Sequence, residues 1–342
     1  MRALVTGLAG PDLTPDERDF LSRVRPCGII LFARNLVSHA QIARLVADAK
    51  TSIGQGDILV LIDQEGGRVQ RLRPPLGRAL PPARAYAALY EADPAAAMAA
   101  ARSQSRLVAS DLAALGINTD CAPVLDVPVA GAHGIIGDRA YGTTVAQVAA
   151  LGRAVAEGFL DGGVLPVIKH IPGHGRATAD SHHDLPVVDT PHAVLSATDF
   201  AAFKALADMP AAMTAHVVFT SIDADNPAST SARVTAEVIR GEIGFDGLLM
   251  SDDLSMKALS GTIGGRAEAV IAAGSDIALH CNGVLAEMEE AAAVLPTLTG
   301  KARNRFFAAM ARVGRPQPFD PDAAVAKLSQ VLANYAPPTE SV

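Results

Sequence analysis

The sequence alternates short, continuously apolar runs with longer segments that carry helical patterns. The eight runs cover residues 3–8, 27–33, 57–63, 117–127, 164–170, 211–219, 247–253 and 276–281. Most are apolar at every position rather than at alternate positions, which is typical of strands buried on both faces of a parallel sheet. Eight such strands joined by helices predict an α/β fold, a (β/α)8 TIM barrel, with an open doubly wound sheet as the alternative. No G-x-G-x-x-G follows an early strand, which disfavours a dinucleotide-binding sheet.

Helix signals lie between the runs. Thr14 can N-cap a helix over residues 14–24, whose first turn is acidic. Similar patterns predict helices over residues 39–53, 94–116 and 145–163, the last two ending in glycine. Residues 283–342 are typical of a helical tail followed by a short capping segment. Because no low-complexity linker divides the chain, we expect a single barrel domain over residues 1–342.

Composition limits the class of protein. The chain has 342 residues, 49% of them hydrophobic, which is enough for a large core. A net charge of −7 without any basic run argues against nucleic-acid binding. No stretch approaches the ~18 apolar residues of a membrane span, and acidic residues come too early for a secretory signal. Cys27, Cys121 and Cys281 lie far apart in apolar runs, so we expect buried free thiols. We also expect the protein to be a cytoplasmic monomer with no membrane association.

Chemically capable residues end the apolar runs. In a barrel the active site lies at the carboxyl ends of the strands, so polar residues there are candidates for function. The runs end at or near Asp63, Asp126, Lys169, His170, His216, Ser251, Asp252 and Asp253. Two of these also have a structural interpretation, because Asp126 could cap the following loop and His216 could be a hydrogen-bonded core histidine.

Two adjacent carboxylates follow the seventh run, in SDDLSM at residues 251–256. Side chains alternate across a strand, so only one of Asp252 and Asp253 can face the barrel axis. That carboxylate could be a nucleophile, a base or a metal ligand. The other one, or Ser255, could N-cap the following helix.

The third run leads into DQEGGRVQR at residues 63–71. Its glycines allow a tight turn where a ligand approaches the backbone. Asp63, together with Arg68 or Arg71, could bind a hydroxyl-rich ligand through paired hydrogen bonds. A surface ion pair is the alternative interpretation.

Four of the nine histidines lie in KHIPGHGRATADSHH, residues 169–183. Glycine and proline exclude a helical HExxH zinc motif here, but a barrel could still gather histidines from several strands, including His216 and His280. An acid–base pair needs only one histidine and one carboxylate. Asp180 and His182 supply both, and at i, i+2 in an extended loop their side chains point the same way.

This segment resembles the signature K-H-[FI]-P-G-H-G-x4-D-[ST]-H of the family 3 glycoside hydrolases. It is most similar to that of the single-domain bacterial β-N-acetylglucosaminidases. The resemblance continues, in order and at matching spacings, at residues 28–35, 59–72, 117–127, 135–142 and 248–256. It therefore extends over most of the chain.

The resemblance implies a retaining glycosidase on a TIM barrel, with Asp252 as the nucleophile. His182, paired with Asp180, would be the general acid/base, in place of the usual second carboxylate. The residues implied in sugar binding are Asp63, Arg71, Arg139, Lys169 and His170. The implied substrate is a small carbohydrate with a non-reducing terminal β-linked N-acetylglucosamine (GlcNAc). In bacteria this is chiefly GlcNAc-1,6-anhydro-N-acetylmuramic acid, with or without peptide, in cytosolic cell-wall recycling. We expect no cofactor and no metal.

Three alternatives stay open. The histidines could belong to a metal-dependent barrel hydrolase, such as an amidohydrolase. The chain could be a sugar-binding protein without catalysis, although binding does not require Asp252, Asp180 and His182 together. A phosphorolytic enzyme would transfer the sugar to phosphate instead of water.

Overall fold

The strands of the barrel sheet follow the predicted apolar runs. The computed structural model describes residues 1–177 and 185–333. In chain order its strands are β1 Arg2–Gly7, β2 Pro26–Leu31, β3 Leu59–Ile62, β4 Gln64–Gly66, β5 Val69–Gln70, β6 Thr119–Asp120, β7 Leu165–Pro166, β8 Ile168–Ile171, β9 Val187–Val188, β10 Ala211–Thr214, β11 Val218–Phe219, β12 Leu248–Asp253 and β13 Ile277–His280. One nine-stranded parallel sheet has the order β7-β6-β3-β2-β1-β13-β12-β10-β8. Strands β4, β5 and β9 lie outside the predicted runs.

The sheet closes on itself through the fifth predicted run. β7 and β8 lie at opposite ends of the strand order, yet only Val167 separates them along the chain. β7 pairs with β6, and β8 pairs with β10. A further hydrogen bond, from the Leu125 N–H to the Lys169 carbonyl at 2.7 Å, joins β8 to the chain beyond β6. The predicted (β/α)8 barrel is therefore confirmed, and the open-sheet alternative is wrong.

Helical segments separate the barrel strands and cover the outside of the sheet. The α-helices are α1 Pro15–Val24, α2 His39–Ile53, α3 Ala83–Ala92, α4 Pro94–Ala114, α5 Val145–Asp161, α6 His192–Ala197, α7 Asp199–Lys204, α8 Ile263–Ala272, α9 Leu285–Val294, α10 Gly300–Met310 and α11 Pro321–Ala333. Between β10 and β12 the segment Val234–Glu242 forms a π-helix. Its wider turn is visible where the Ile243 N–H donates to the Val238 carbonyl, five residues earlier, at 2.8 Å.

The helix ends follow the local signals in the sequence. The Thr14 hydroxyl accepts a hydrogen bond from the Glu17 N–H at 3.1 Å, and the Glu17 carboxylate accepts one from the Thr14 N–H at 2.9 Å. This capping box satisfies two backbone donors at the start of α1, as predicted for Thr14. α4 and α5 end two residues before the predicted limits, and Gly116 and Gly163 follow with φ values of 79° and 76°.

The core has two layers, one inside the barrel and one between barrel and helices. In β3, Leu59 and Leu61 pack inside the barrel, while Val60 and Ile62 pack against the helices. Both faces of the strand are buried, which explains its continuous apolar run. The predicted buried free thiols are confirmed, because Cys27, Cys121 and Cys281 are all buried and unpaired. Burial raises the pKa of Cys27 to about 12.

The tail differs from the short capping segment that the sequence predicts, because residues 321–333 form the helix α11. The preceding chain contacts α4, where the Arg106 guanidinium donates to the Pro318 carbonyl at 2.9 Å and lies 4.3 Å from the centre of the Phe319 ring. These contacts join the tail to the barrel. Within residues 1–177 and 185–333, no helix combines the length and apolar character needed to cross a membrane.

Candidate active site

A cavity of about 400 Å³ opens at the carboxyl ends of the barrel strands. This is the end of the barrel at which enzymes of this fold carry their active sites. Six of the residues implied by the resemblance line the cavity together, namely Asp63, Arg71, Arg139, Lys169, His170 and Asp252. The other two, Asp180 and His182, lie outside the described residues, as does their neighbour His183.

Five charged side chains alternate in sign along one wall of the cavity. Asp63 binds the Lys169 ammonium at 2.8 Å through one carboxylate oxygen and the Arg71 guanidinium at 2.9 Å through the other. Glu65 binds Lys169 at 2.6 Å and Arg139 through two hydrogen bonds of 2.8 and 2.9 Å. We call Arg71, Asp63, Lys169, Glu65 and Arg139, in this order, the charge ladder. Its side chains are mostly buried, so these contacts are weakly screened by solvent.

The ladder holds both carboxylates ionised. Burial alone would raise the pKa of Asp63, but the adjacent Lys169 and Arg71 lower it well below its ordinary value. Burial would likewise raise the pKa of Glu65, and Arg139 and Lys169 lower it to about 2. The wall therefore presents fixed charges and strong hydrogen-bonding groups, which suit a ligand rich in hydroxyl groups.

The partner of Asp63 is Arg71 and not Arg68, the two candidates that the sequence left open. Arg68 turns away and binds Asp138 at 2.8 Å and the Gly134 carbonyl at 2.9 Å. Sequence reasoning did not single out Glu65, which binds two cations of the ladder, Lys169 and Arg139, just as Asp63 binds Lys169 and Arg71. The available signal was a second acidic residue directly before the glycine pair, two positions after Asp63.

Gly66 and Gly67 make the sharp turn that brings the ends of this segment together. Their φ values are 108° and 55°, and a Cβ on Gly66 would lie 2.4 Å from the Pro81 carbonyl oxygen. Glycine therefore avoids both a backbone conformation and a clash that other residues would not tolerate. The turn joins β4 to β5, and it allows Glu65 and Arg71 to reach the same wall of the cavity.

The adjacent carboxylates Asp252 and Asp253 have different surroundings. Asp253 accepts hydrogen bonds from the N–H groups of Ser255 and Cys281, both at 3.0 Å, and from the Ser255 hydroxyl at 2.5 Å. Both of its oxygens thus hold the loop. Asp252 accepts a hydrogen bond from the Asp253 N–H at 2.8 Å and lines the cavity. Both carboxylates line the cavity, and Asp252 is the one with fewer hydrogen bonds to the loop.

The expectation that Asp253 or Ser255 caps the following helix is wrong. Thr262 caps α8, because its hydroxyl accepts a hydrogen bond from the Gly265 N–H at 3.1 Å. Asp253 instead stabilises the turn that directly follows β12. The sequence contains several short polar residues before α8, and only the position at which the chain turns decides which of them is the cap.

Two imidazoles influence Asp252. Burial would raise the pKa of Asp252, but the nearby His216 and His170 lower it below its ordinary value. His170 binds Asp126 at 2.7 Å through Nδ1. His216 lies 2.7 Å from the Ser229 hydroxyl and 3.0 Å from the Asp253 carbonyl oxygen. The environment therefore favours an ionised Asp252, as a nucleophile requires.

His216 is the hydrogen-bonded buried histidine of the structural interpretation. A carbonyl oxygen only accepts, so Nε2 carries a proton that it donates to Asp253. Burial lowers the pKa of His216, and its Nδ1 forms a hydrogen bond of 2.7 Å with the Ser229 hydroxyl. His280 binds Glu287 on α9 at 3.0 Å and does not line the cavity. Within residues 1–177 and 185–333, no cluster of three or more His, Cys, Asp or Glu side chains has an arrangement suited to a metal ion.

Comparisons with known proteins agree with this geometry. The family described as "Glycosyl hydrolase family 3 N terminal domain" matches residues 7–315. A β-hexosaminidase of Alkalilimnicola ehrlichii is 41% identical over 283 residues, which are 82% of this chain and 80% of that protein.

Solved structures of known proteins are also similar to this chain. NagZ from Neisseria gonorrhoeae in complex with N-trifluoroacetyl-D-glucosamine has a TM-score of 0.84 at 31% identity, covering 98% of both chains. A complex of that protein with zinc ion has a TM-score of 0.85. A β-N-acetylglucosaminidase from Paenibacillus sp. has a TM-score of 0.83 at 31% identity over 96% of this chain, which spans 66% of that one. The family model matches residues 7–315 of this chain, and a relative is 41% identical to it. The chain therefore belongs to glycosyl hydrolase family 3 and is a glycoside hydrolase.

Proposed function

We propose that the protein is a retaining exo-β-N-acetylglucosaminidase that removes non-reducing terminal β-linked GlcNAc. The observation that carries the proposal is the position of Asp252. It is an ionised carboxylate at the end of β12, in the cavity that the charge ladder also lines. The names of the relatives support the sugar, because one is a β-hexosaminidase and another was solved with an N-acylated glucosamine.

In the proposed first step, the Asp252 carboxylate attacks the anomeric carbon. A bond forms between the carboxylate oxygen and that carbon, and the bond to the leaving oxygen breaks. His182, oriented by Asp180, gives its proton to the leaving oxygen, and this part of the proposal concerns residues outside those described. In the second step His182 takes a proton from water, whose oxygen displaces Asp252 and restores the β configuration. No cofactor takes part.

The charge ladder is proposed to bind the sugar hydroxyls. Its carboxylates accept hydrogen bonds and its cations donate them, so one wall can hold a hydroxyl group from both sides. The partners on the wall hold each charged group in place before the sugar arrives, which reduces the reorganisation needed on binding. Asp63, Arg71, Arg139, Lys169 and His170 are the proposed contacts.

For the natural substrate we propose GlcNAc-1,6-anhydro-N-acetylmuramic acid, with or without its peptide, in cytosolic cell-wall recycling. Lys169 and Arg139 could receive the anionic part of such a molecule, although the resemblance assigns them to the sugar itself. We expect the enzyme to act as a monomer. Product analysis by chromatography, with and without inorganic phosphate, separates hydrolysis from the phosphorolytic alternative, because only the latter yields a sugar phosphate.

The decisive experiment is covalent labelling with an activated 5-fluoro derivative of GlcNAc, followed by mass spectrometry of the digested protein. We expect a glycosyl adduct on Asp252, because fluorine slows both steps while a good leaving group restores the first. Asp252→Asn is the matched control and should remain unlabelled. An adduct on another residue, or none during slow turnover, would overturn the proposed nucleophile.

A further inference from the structure

Asp126 is a fully buried carboxylate directly behind the cavity, at the end of the fourth predicted run. One of its oxygens lies 2.7 Å from Nδ1 of His170. The other accepts hydrogen bonds from the backbone N–H of His174 at 2.6 Å and from that of His170 at 3.3 Å. The sequence allowed two interpretations of Asp126, as a functional group or as a loop cap, and these contacts are compatible with both.

The contacts determine which nitrogen of His170 carries the proton. Burial alone would raise the pKa of Asp126, but His170 and His174 lower it below its ordinary value, so the carboxylate is ionised. An ionised carboxylate only accepts hydrogen bonds, and therefore Nδ1 of His170 must be the donor. The remaining ring nitrogen, Nε2, is then the polar atom that the ring can offer to a ligand. The His170 ring lines the cavity together with Asp252.

We propose that Asp126 is a positioning residue for the glycosidase reaction, and that it acts by fixing His170 with its proton on Nδ1 and Nε2 free to bind a sugar hydroxyl. The proposal rests on the proposed function, in which His170 contacts the sugar. It adds a residue that does not touch the substrate and that the sequence resemblance does not assign. An orienting carboxylate behind an imidazole controls the ring in the same way in catalytic triads and in metal sites.

The chemistry of the side chain explains why an amide cannot replace it. Asn at position 126 has one accepting oxygen and one donating NH2 group. If its oxygen stays on the two backbone N–H groups, its NH2 group faces Nδ1 of His170. Nδ1 must then accept, and the proton moves to Nε2. The ring would present a donor where it had presented an acceptor, without any change in the fold.

A purely structural loop cap predicts something different. In that case Asp126 would matter only through the N–H groups of His170 and His174. Its loss would then lower stability and activity whether or not the His170 ring is present. A double-mutant cycle separates the two roles, because it measures whether one residue acts through the other.

The experiment compares Asp126→Asn, His170→Ala and the double variant in hydrolysis of an aryl β-N-acetylglucosaminide. We expect Asp126→Asn to lower kcat/KM by about 10- to 100-fold. The double variant should be no worse than His170→Ala alone. Asp161→Asn is the matched control, because Asp161 is also a buried carboxylate but binds Arg102 between α4 and α5, away from the cavity. It should retain full activity.

Long-range ¹H–¹⁵N NMR of histidine-labelled protein gives a second measurement, which reports the protonated ring nitrogen directly. His170 of the unsubstituted enzyme should show its proton on Nδ1, and Asp126→Asn should move it to Nε2. Independent, additive losses in the cycle, or a wild-type His170 whose Nδ1 is unprotonated, would overturn the proposal. Failure of the 5-fluoro sugar to label Asp252 would instead count against the proposed function, and the NMR result would still stand.

Discussion

Glu65 holds Arg139 through two parallel hydrogen bonds, of 2.8 and 2.9 Å, between side chains that are 7% and 10% exposed. The same carboxylate binds the Lys169 ammonium at 2.6 Å. A two-point contact fixes both the distance and the plane of the guanidinium. Glu65 therefore positions two of the proposed sugar-binding cations, although the sequence drew attention to neither pair.

Glu65→Gln should weaken both substrate binding and the fold. The amide keeps the size of the side chain but removes the carboxylate that pairs with Arg139, and it leaves Lys169 paired with Asp63. Removing one member of a buried ion pair costs about 3 kcal/mol, so we expect a fall of that order in the free energy of unfolding and a raised KM. Urea denaturation and steady-state kinetics measure the two effects. Glu157→Gln, at a more exposed pair with Arg102, is the control and should change neither.

Stability should fall in acid partly because of Glu65. Its pKa is lowered from 4.5 to about 2 in the folded protein. A lowered folded-state pKa stabilises the protein above the unfolded-state value, and this contribution is lost as the pH falls from about 4.5 towards 2. The free energy of unfolding, measured by urea denaturation across this range, should fall less steeply in Glu65→Gln. Parallel curves for the two proteins would contradict the assignment.

Asp252→Asn and Asp253→Asn should separate chemistry from loop stability. We expect Asp252→Asn to lower kcat by about 10⁴-fold or more while the protein stays folded, because the nucleophile is lost. Asp253→Asn should lower the free energy of unfolding by about 1–3 kcal/mol, since an amide cannot accept all three hydrogen bonds that the carboxylate accepts. Kinetics with an aryl β-N-acetylglucosaminide and urea denaturation test the pair. Full activity in Asp252→Asn would refute the proposed nucleophile.

His182→Ala should have an effect that depends on the leaving group. A general acid contributes about 10²–10⁴-fold where the leaving oxygen needs a proton, and little where it does not. We therefore expect a large loss of kcat/KM for an alkyl or disaccharide substrate and a much smaller loss for a dinitrophenyl glycoside. Equal losses on both would exclude the acid role. Exchanging His183 for Ala is the neighbouring control, with little effect expected on either substrate.

Chelation tests the metal-dependent alternative. Activity should be unchanged after dialysis against EDTA, because the proposed mechanism uses only the side chains of Asp252, Asp180 and His182. The assay is turnover of an aryl β-N-acetylglucosaminide before and after dialysis, with a zinc hydrolase treated in parallel. Loss of activity that added zinc restores would favour the metal hydrolase instead.

Local sequence patterns predicted much of the architecture. Continuous apolar runs identify strands because burial on both faces leaves no polar position, as in Leu59–Ile62. Thr14 identifies the start of α1 because its hydroxyl caps backbone groups within the same turn. Even the clustering of polar residues followed from the sequence, since the carboxyl ends of parallel strands meet at one end of a barrel. The helix α11 was not predicted, and the chain before it is held by contacts with distant Arg106.

Short-range patterns and the geometry of parallel strands were enough to predict the barrel strands, the barrel and most of the residues that meet at its carboxyl end. Glu65 was not among the predicted residues. How those residues pair depends on the three-dimensional structure. Asp63 binds Arg71 while Arg68 binds Asp138, and Lys169 reaches Asp63 from 106 positions along the chain. Such contacts depend on the direction of each side chain at the barrel mouth, to within an ångström. No pattern of neighbouring residues encodes that direction.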